Sequence, residues 1–301
     1  MKILNIRLTP LFAESWNVAW RKKAKGSILS DKDTPFIIIK NKYRYWAADP
    51  FLVEKDGKTY IFSELYDYIR CRGILGCCEL NEQGKTKWVP IITEKFHLSY
   101  PCIIESQDKI FLMPESEAGN SLFLYEATDF PYKWKKVKVL RNNVKYADTT
   151  PLIWKEQRFA LTHNVKDPYH PELLLIDMKS EYPDKKIQTD SPFRTRPAGK
   201  SFILNHECIR PAQNSINGNE GYGKNLIFYK YFIDEKRQYS EIVASEIFPE
   251  DLHYTSKIYL DGMHTYNASE YYEVIDIKTR RFNILNLFFR SLRKIIKLKK
   301  D

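Results

Sequence analysis

Three short polar clusters, each placed just before a proline, hold the side chains best suited to moving a proton. Asp49 precedes Pro50, Ser99 and Tyr100 precede Pro101, and Asp148, Thr149 and Thr150 precede Pro151. A carboxylate at such a position can accept a proton from a hydroxyl, so Asp49 is the first candidate general base and Asp148 the second. Glu64, His97, Tyr100, Glu115 and Glu117 are candidate substrate-binding groups in the first two repeats, and His163 in the third. For Glu64, Glu115 and His163 the competing reading is that they satisfy neighbouring backbone. Further along, Arg196-Pro197 and Arg210-Pro211 flank one strand-like segment, with Gln213 just after the second pair and His264 in DGMHTYN. Arginine at a site of this kind suits an anion, such as a sugar nucleotide's diphosphate or an acidic sugar. Alternatively the two arginines bridge carboxylates of the fold itself. Nothing in the spacing calls for a metal or another cofactor.

The elements that would carry these groups repeat. PFLVEKDGKTYIFSEL, PCIIESQDKIFLMPES and PLIWKEQRFALTHN each read as apolar strand, polar turn and second strand, recurring about every 50 residues. That period fits the four-stranded blade of a β-propeller, in which the innermost strands line one axial channel. Residues far apart in sequence then meet at one mouth. Blade one runs from about Asp49 to Pro90, with Gly73 to Leu80 and Lys87 to Ile92 as its outer strands. Blade two, about Tyr100 to Arg141, adds SLFLYEA and KWKKVKVL, whose Trp134, Val137 and Val139 alternate with lysines. Blade three runs from about Asp148 to Asp190, with ELLLID as its third strand. Blade four carries SFILNHE and KNLIFYKYFI, and blade five begins near His264 and closes with an N-terminal strand, either Ile3 to Leu11 or Ile37 to Ile39.

The fold class is therefore all-β, a five-bladed β-propeller over residues 1–279, followed by a basic amphipathic tail at 280–301. In the tail, Phe282, Leu285, Phe288, Phe289, Leu292, Ile295 and Ile296 fall at helical spacing, while Arg290, Arg293, Lys294 and Lys297 form another stripe. It holds eight basic residues against one acidic, most of the chain's net charge of +10. Such a helix is expected to lie on an anionic membrane, or else to pack on the propeller or a partner. The rest of the chain carries too little excess charge, and no motif, for nucleic-acid binding. Five cysteines, Cys77 and Cys78 adjacent, make neither a disulfide framework nor a metal spacing. MKILNIRLTPLF has no long apolar core or cleavage site, and no stretch reaches a membrane span. The expected location is the cytoplasm, peripheral on the inner face of the cell membrane, and the sequence leaves oligomeric state open.

ADPFLVEKDGKTYIFSEL resembles the first-blade signature of five-bladed propeller glycosidases of the arabinanase and β-xylosidase kind, where the Asp of an Asp-Pro pair is the general base. HLSYPCIIE with LMPES, ADTTPLI, RPAGKSF, IRPAQNS with YGK, and DGMHTYN resemble more closely the N-terminal domain of glucosamine inositolphosphorylceramide transferases and its bacterial relatives. That resemblance covers about residues 46 to 275. The glycosidase likeness implies three carboxylates, one from each of the first three blades, yet HLSYPCII has none. The transferase likeness implies a glycosyltransferase of surface-polysaccharide or glycolipid synthesis, acting on a sugar nucleotide and a lipid-linked sugar. A non-catalytic glycan-binding module is the alternative, and a glycoside hydrolase a more distant one.

Overall fold

The computed structural model describes residues 12–23, 33–41, 44–82, 86–106, 108–154, 158–189, 191–215, 222–256 and 260–282. The chain enters in the last blade, with β1 (Phe12–Lys22) and β2 (Ile37–Ile38). Blade one is β3 (Tyr45–Lys55), β4 (Lys58–Asp67), β5 (Arg72–Glu79) and β6 (Val89–Ile92), and blade two is β7 (Ser99–Ser106), β8 (Lys109–Glu115), β9 (Ser121–Asp129) and β10 (Lys133–Asn142). Blade three is β11 (Tyr146–Pro151), β12 (Phe159–Asn164), β13 (Glu172–Asp177) and β14 (Lys185–Lys186). Blade four is β15 (Phe202–Leu204), β16 (Glu207–Asn214), β17 (Asn225–Ile233) and β18 (Tyr239–Ile247). Blade five joins β19 (Leu260–Gly262) and β20 (Tyr266–Ala268) to β21 (Tyr272–Phe282), which pairs with β1 and so with β2. Each blade is an antiparallel sheet, and each neighbouring pair is joined by its own apolar cluster. The Phe51, Phe62, Leu75 and Leu112 cluster between blades one and two is typical. Burying each such side chain contributes about 1.5–3 kcal/mol.

The repeat is built on a backbone device rather than on proline. Asp49 (φ 52°), Tyr100 (φ 45°) and Asp148 (φ 51°) each adopt the left-handed region. At each of them the ladder to the second strand slips, between Ala48 and Phe51, Ser99 and Cys102, and Ala147 and Thr150. These are β-bulges, which leave a residue unpaired and turn its side chain out of the alternation toward the channel mouth. Pro50 and Pro101 fall inside the bulge, where no ladder N–H is needed. In blade three the proline comes later, at the end of β11, so the bulge residue and not the proline keeps the register of the repeat.

Four expectations need correction. SFILNHE is not one strand: β15 ends at Leu204, Asn205 and His206 turn with positive φ, and Glu207 opens β16. KWKKVKVL does not keep its alternation, because shifts at Lys136/Lys138 and Val139/Arg141 break the register and leave Val137 and Val139 exposed. The tail is not helical from its start, since β21 continues through Arg280 to Phe282; residues 283–301 lie outside the described residues. The N-terminal strand that closes the ring is β1, with Ile37–Ile38 outside it, while Ile3 to Leu11 lies outside the described residues. β1 is buried on both faces, and its polar groups are matched across the sheet. Arg21 Nε donates to Glu273 Oε2 at 2.7 Å and Asn17 Nδ2 to Thr279 Oγ1 at 2.9 Å. All five cysteines are free thiols.

Candidate functional site

The bulges of blades one and three bring the Asp49 and Asp148 carboxylates, and the entry to β20 brings His264 and Thr265, to the same mouth. Asp49 Oδ2 accepts the Tyr100 N–H at 3.1 Å, and its Oδ1 accepts the Thr265 hydroxyl at 3.0 Å. Behind it, Asp276 on β21 holds the bulge in place. Its Oδ2 accepts the Asp49 N–H at 2.9 Å, and its Oδ1 accepts the N–H groups of His264 and Thr265, both at 2.9 Å. His264 Nδ1 lies 2.6 Å from Asp276 Oδ2, off the line a hydrogen bond needs, and Nε2 lies 3.5 Å from Asp49 Oδ1. Trp16 stacks on the imidazole with ring centroids 3.9 Å apart, and Tyr222 meets both rings edge-on.

Burial pushes the Asp49 carboxyl up to about 6, opposed by His264 and reinforced by Asp148 and Asp276. For His264, burial acts against the charge, but Asp276 and Asp49 outweigh it and raise the imidazole above its ordinary value. Asp49, His264 and Asp276 each offer one ligand atom within 4.8 Å of the others, an N/O set in which Asp276 already accepts three backbone N–H bonds.

Across the mouth, Arg196 joins two carboxylates. Its Nε donates to Asp148 Oδ2 and its terminal nitrogen to Glu115 Oε2 at 2.9 Å, while Gln213 Nε2 donates to Asp148 Oδ2 at 2.7 Å. The pair of acids divides. Burial pushes Asp148 up, but the charge and hydrogen bond of Arg196 hold it below the usual carboxylate range. Burial, and then the Asp148 charge, drive Glu115 well above that range. Arg196 thus favours the charged form of Asp148, while burial beside that charge favours the protonated form of Glu115. Tyr100 supports both sides: its hydroxyl accepts the Gly199 N–H at 2.6 Å and so donates to Thr150 Oγ1 at 2.7 Å. Gly199 has φ 138°, and a Cβ there would stand 1.9 Å from the Tyr266 carbonyl oxygen, so only glycine permits this approach.

Glu64 is buried beside Asp49, and burial raises its carboxyl well above the usual value. His97 Nδ1 accepts the Gly73 N–H at 2.9 Å, which puts the ring proton on Nε2, 3.4 Å from Glu64 Oε1. Burial lowers His97 to about 4, so it is neutral. Glu115, Glu117, His163, Arg196 and Tyr222 line a cavity of about 300 Å³ that opens beside the mouth. A larger groove of about 480 Å³ between blades five and one, lined by Lys22, Lys55, Lys58 and Tyr271, holds none of the candidate residues.

The structure therefore brings together Asp49, Glu64, His97, Tyr100, Glu115, Asp148, Arg196, Gln213 and His264, with Glu117 and His163 on the cavity wall. Glu117 is tied to Lys145 at 2.7 Å. Arg210 is engaged elsewhere. Its guanidinium donates to Glu241 Oε2 at 2.7 Å and Oε1 at 2.8 Å, to the Tyr239 hydroxyl and to the Thr195 carbonyl. Arg196 thus bridges two carboxylates of the fold, while Arg210 pairs with one, Glu241 of its own blade. The sequence reading missed Asp276, Thr265, Trp16 and Tyr222; Thr265 sits beside His264 within DGMHTYN, and Asp276 could have been sought by extending the blade-five hairpin from that motif.

The described residues define a five-bladed β-propeller with a carboxylate-rich axial mouth. As a fold it is similar to the catalytic domain of a Coprinopsis cinerea GH62 α-L-arabinofuranosidase, with a TM-score of 0.55 at 9% identity over 87% of this chain and 97% of that one. The chain belongs to the family described as glucosamine inositolphosphorylceramide transferase 1, N-terminal, whose model matches residues 38–265. Curated relatives include glucosamine inositolphosphorylceramide transferase 1 of Oryza sativa subsp. indica, 27% identical over 208 residues, and that of Arabidopsis thaliana, 26% identical over 210. These matches take in 65% of this chain and span only 28% and 26% of the relatives' lengths.

Proposed function

We propose that the propeller is the sugar-handling site of a glycosyltransferase that builds a glycolipid or cell-surface polysaccharide, working on a lipid-linked sugar at the cytoplasmic face of the membrane. The observation that carries this reading is Asp49, a buried carboxylate pushed up to about 6, set across the mouth from Asp148, which Arg196 and Gln213 bind, and from Glu115, which Arg196 also binds. In the proposed step the acceptor hydroxyl gives its proton to Asp49 while its oxygen bonds the anomeric carbon and the donor's leaving oxygen departs. The names of the relatives support the class of reaction. The test is to incubate the full chain with a panel of nucleotide sugars and lipid-linked acceptors, comparing the parent with Asp49→Asn. Transfer by the parent and its loss in the variant are the expected result.

A second reading, a glycan-binding module that does no chemistry, is favoured by the two protein hydrogen bonds that Asp49 already accepts. Glycan binding without transfer from any donor, unaffected by Asp49→Asn, would select it. Hydrolysis is the least favoured. The middle position among the three inner strands holds Tyr100, with its hydroxyl enclosed by Thr150 and Gly199, and blade two's carboxylate at the mouth, Glu115, comes from its second strand and is bound to Arg196. Aryl arabinosides, xylosides and galactosides should be turned over no faster than in buffer. Robust hydrolysis lost in Asp49→Asn would reverse that ordering.

The tail bears on the membrane. His264 and Thr265 precede β20 at the mouth, and β21 runs back past them through Asp276 to Phe282, so the chain leaves blade five on the mouth side. The basic residues beyond it would hold that face toward an anionic leaflet, each adding about 1 kcal/mol near the surface. Co-sedimentation with phosphatidylserine vesicles should fall with salt and on deletion of 283–301. Equal binding by the truncated chain would remove the anchor.

A further inference from the structure

Among the described residues the mouth holds buried acceptors that the protein leaves unsatisfied. His163 is 4% exposed and its Nε2 faces the Pro192 carbonyl oxygen at 3.0 Å, so the ring proton sits there and Nδ1 is a bare acceptor. Among the described residues Nδ1 has no hydrogen-bond partner, and neither has Gln213 Oε1 beside the carboxylates. For Gln213 the orientation is fixed, because Nε2 already donates to Asp148 and to the Pro197 carbonyl. Buried acceptors of this kind are ordinarily satisfied, so a ligand that fits must bring N–H or O–H groups to them.

The cations point the same way. Arg196 is bound to Asp148 and Glu115, and Arg210 to Glu241, so neither offers an uncompensated charge to a phosphate. The lining of the cavity is also mixed: Glu115, Arg196 and Tyr222 are polar, while Pro168, Pro171 and Phe193 are apolar. A sugar ring is mixed in the same way, with a rim of hydroxyls and a C–H surface, and pockets commonly combine an apolar lining with a few placed polar groups.

Resting on the sugar-handling reading above, we infer that this cavity takes an uncharged sugar ring, with a hydroxyl donating to His163 Nδ1 and the C–H face against Pro168, Pro171 and Phe193, and leaves the diphosphate of any donor outside. Burial and the Arg196 charge lower His163 to about 4, so the acceptor persists at neutral pH.

The test is calorimetric titration of the full chain with methyl glycosides of glucose, galactose, mannose and N-acetylglucosamine, and separately with inorganic pyrophosphate. At least one glycoside should bind, and pyrophosphate should neither bind nor compete with it. His163→Phe, similar in size but lacking the acceptor, should weaken the glycoside at least about tenfold, the loss expected for one hydrogen bond to a buried group. The proposal fails if pyrophosphate displaces the glycoside, if no glycoside binds, or if a folded His163→Phe keeps full affinity. Should His163→Phe not fold, the competition experiment on the parent decides alone. Glycoside binding without transfer from any donor sinks the transferase reading and leaves this one standing; transfer without glycoside binding does the reverse.

Discussion

Leucine in place of Arg196 should lower the stability of the propeller by about 3–5 kcal/mol, read as a fall in the urea midpoint at an unchanged slope. The side chain ties blade four to Asp148 of blade three and Glu115 of blade two, so its loss strips a buried charge of its partner and unlinks three blades at once. A leucine fills much of the space but leaves Asp148, 2% exposed, without its guanidinium partner and with Gln213 and Glu115 beside it. The pH dependence carries a sign. Because Asp148 is held below its unfolded value, its contribution is present above the unfolded pKa of about 4 and is lost as pH falls through the lower folded value. The gap between parent and Arg196→Leu should therefore narrow on acidification. Asp148→Asn in the Arg196→Leu background should recover part of the loss, since an amide needs no counter-charge. A midpoint unmoved by Arg196→Leu would mean that the pair does not support the ring.

Much of the ring was legible because its repeat is local. Each inner hairpin announces itself by an apolar run, a polar turn and a second run, and Pro50 and Pro101 mark bulges that tolerate proline. What was hidden depends on pairing across the chain. FAESWNVAWRK has no clean alternation, since Ser15, Asn17 and Arg21 are buried along with Trp16, Val18 and Trp20. Those polar groups become explicable only when β1 lies on β21, where Thr279 and Glu273 meet them. The same distance hid half of the site. Asp49 stood out before its proline, but Asp276, which fixes its bulge, lies 227 residues away on a different blade. Arg196 and Arg210 looked alike in sequence because both precede proline. Only the packing separates them, since Arg196 turns into the mouth and Arg210 onto Glu241 of its own blade.

Asp49→Asn should abolish transfer, by about 10²–10⁴-fold for loss of a general base, and at the same time make the fold more stable above pH 6. The two effects have one cause. Burial and the neighbouring Asp148 and Asp276 charges raise the Asp49 carboxyl to about 6 from an ordinary 3.8, so the folded state holds its proton more tightly than the unfolded chain. A group raised in this way favours folding while protonated. Its penalty is absent below about pH 4, grows as pH rises through the interval between the two values, and is complete above about 6, where it is of order 1–3 kcal/mol. Asparagine removes the charge and with it the penalty. It also suits the site: it is among the residues most tolerant of the left-handed φ of 52° found there, and its amide can accept from the Tyr100 N–H while donating to the Thr265 hydroxyl. The transfer rate of the parent should rise with pH through about 6, since only the deprotonated carboxylate takes a proton, and urea midpoints of parent and variant should converge as pH falls toward 4. A purely structural Asp49 would behave otherwise: Asp49→Asn would then be no more stable than the parent at pH 8, and any transfer would survive it. An inactive variant that is also the more stable of the two would mark Asp49 as a carboxylate kept at a cost to the fold for the sake of its chemistry.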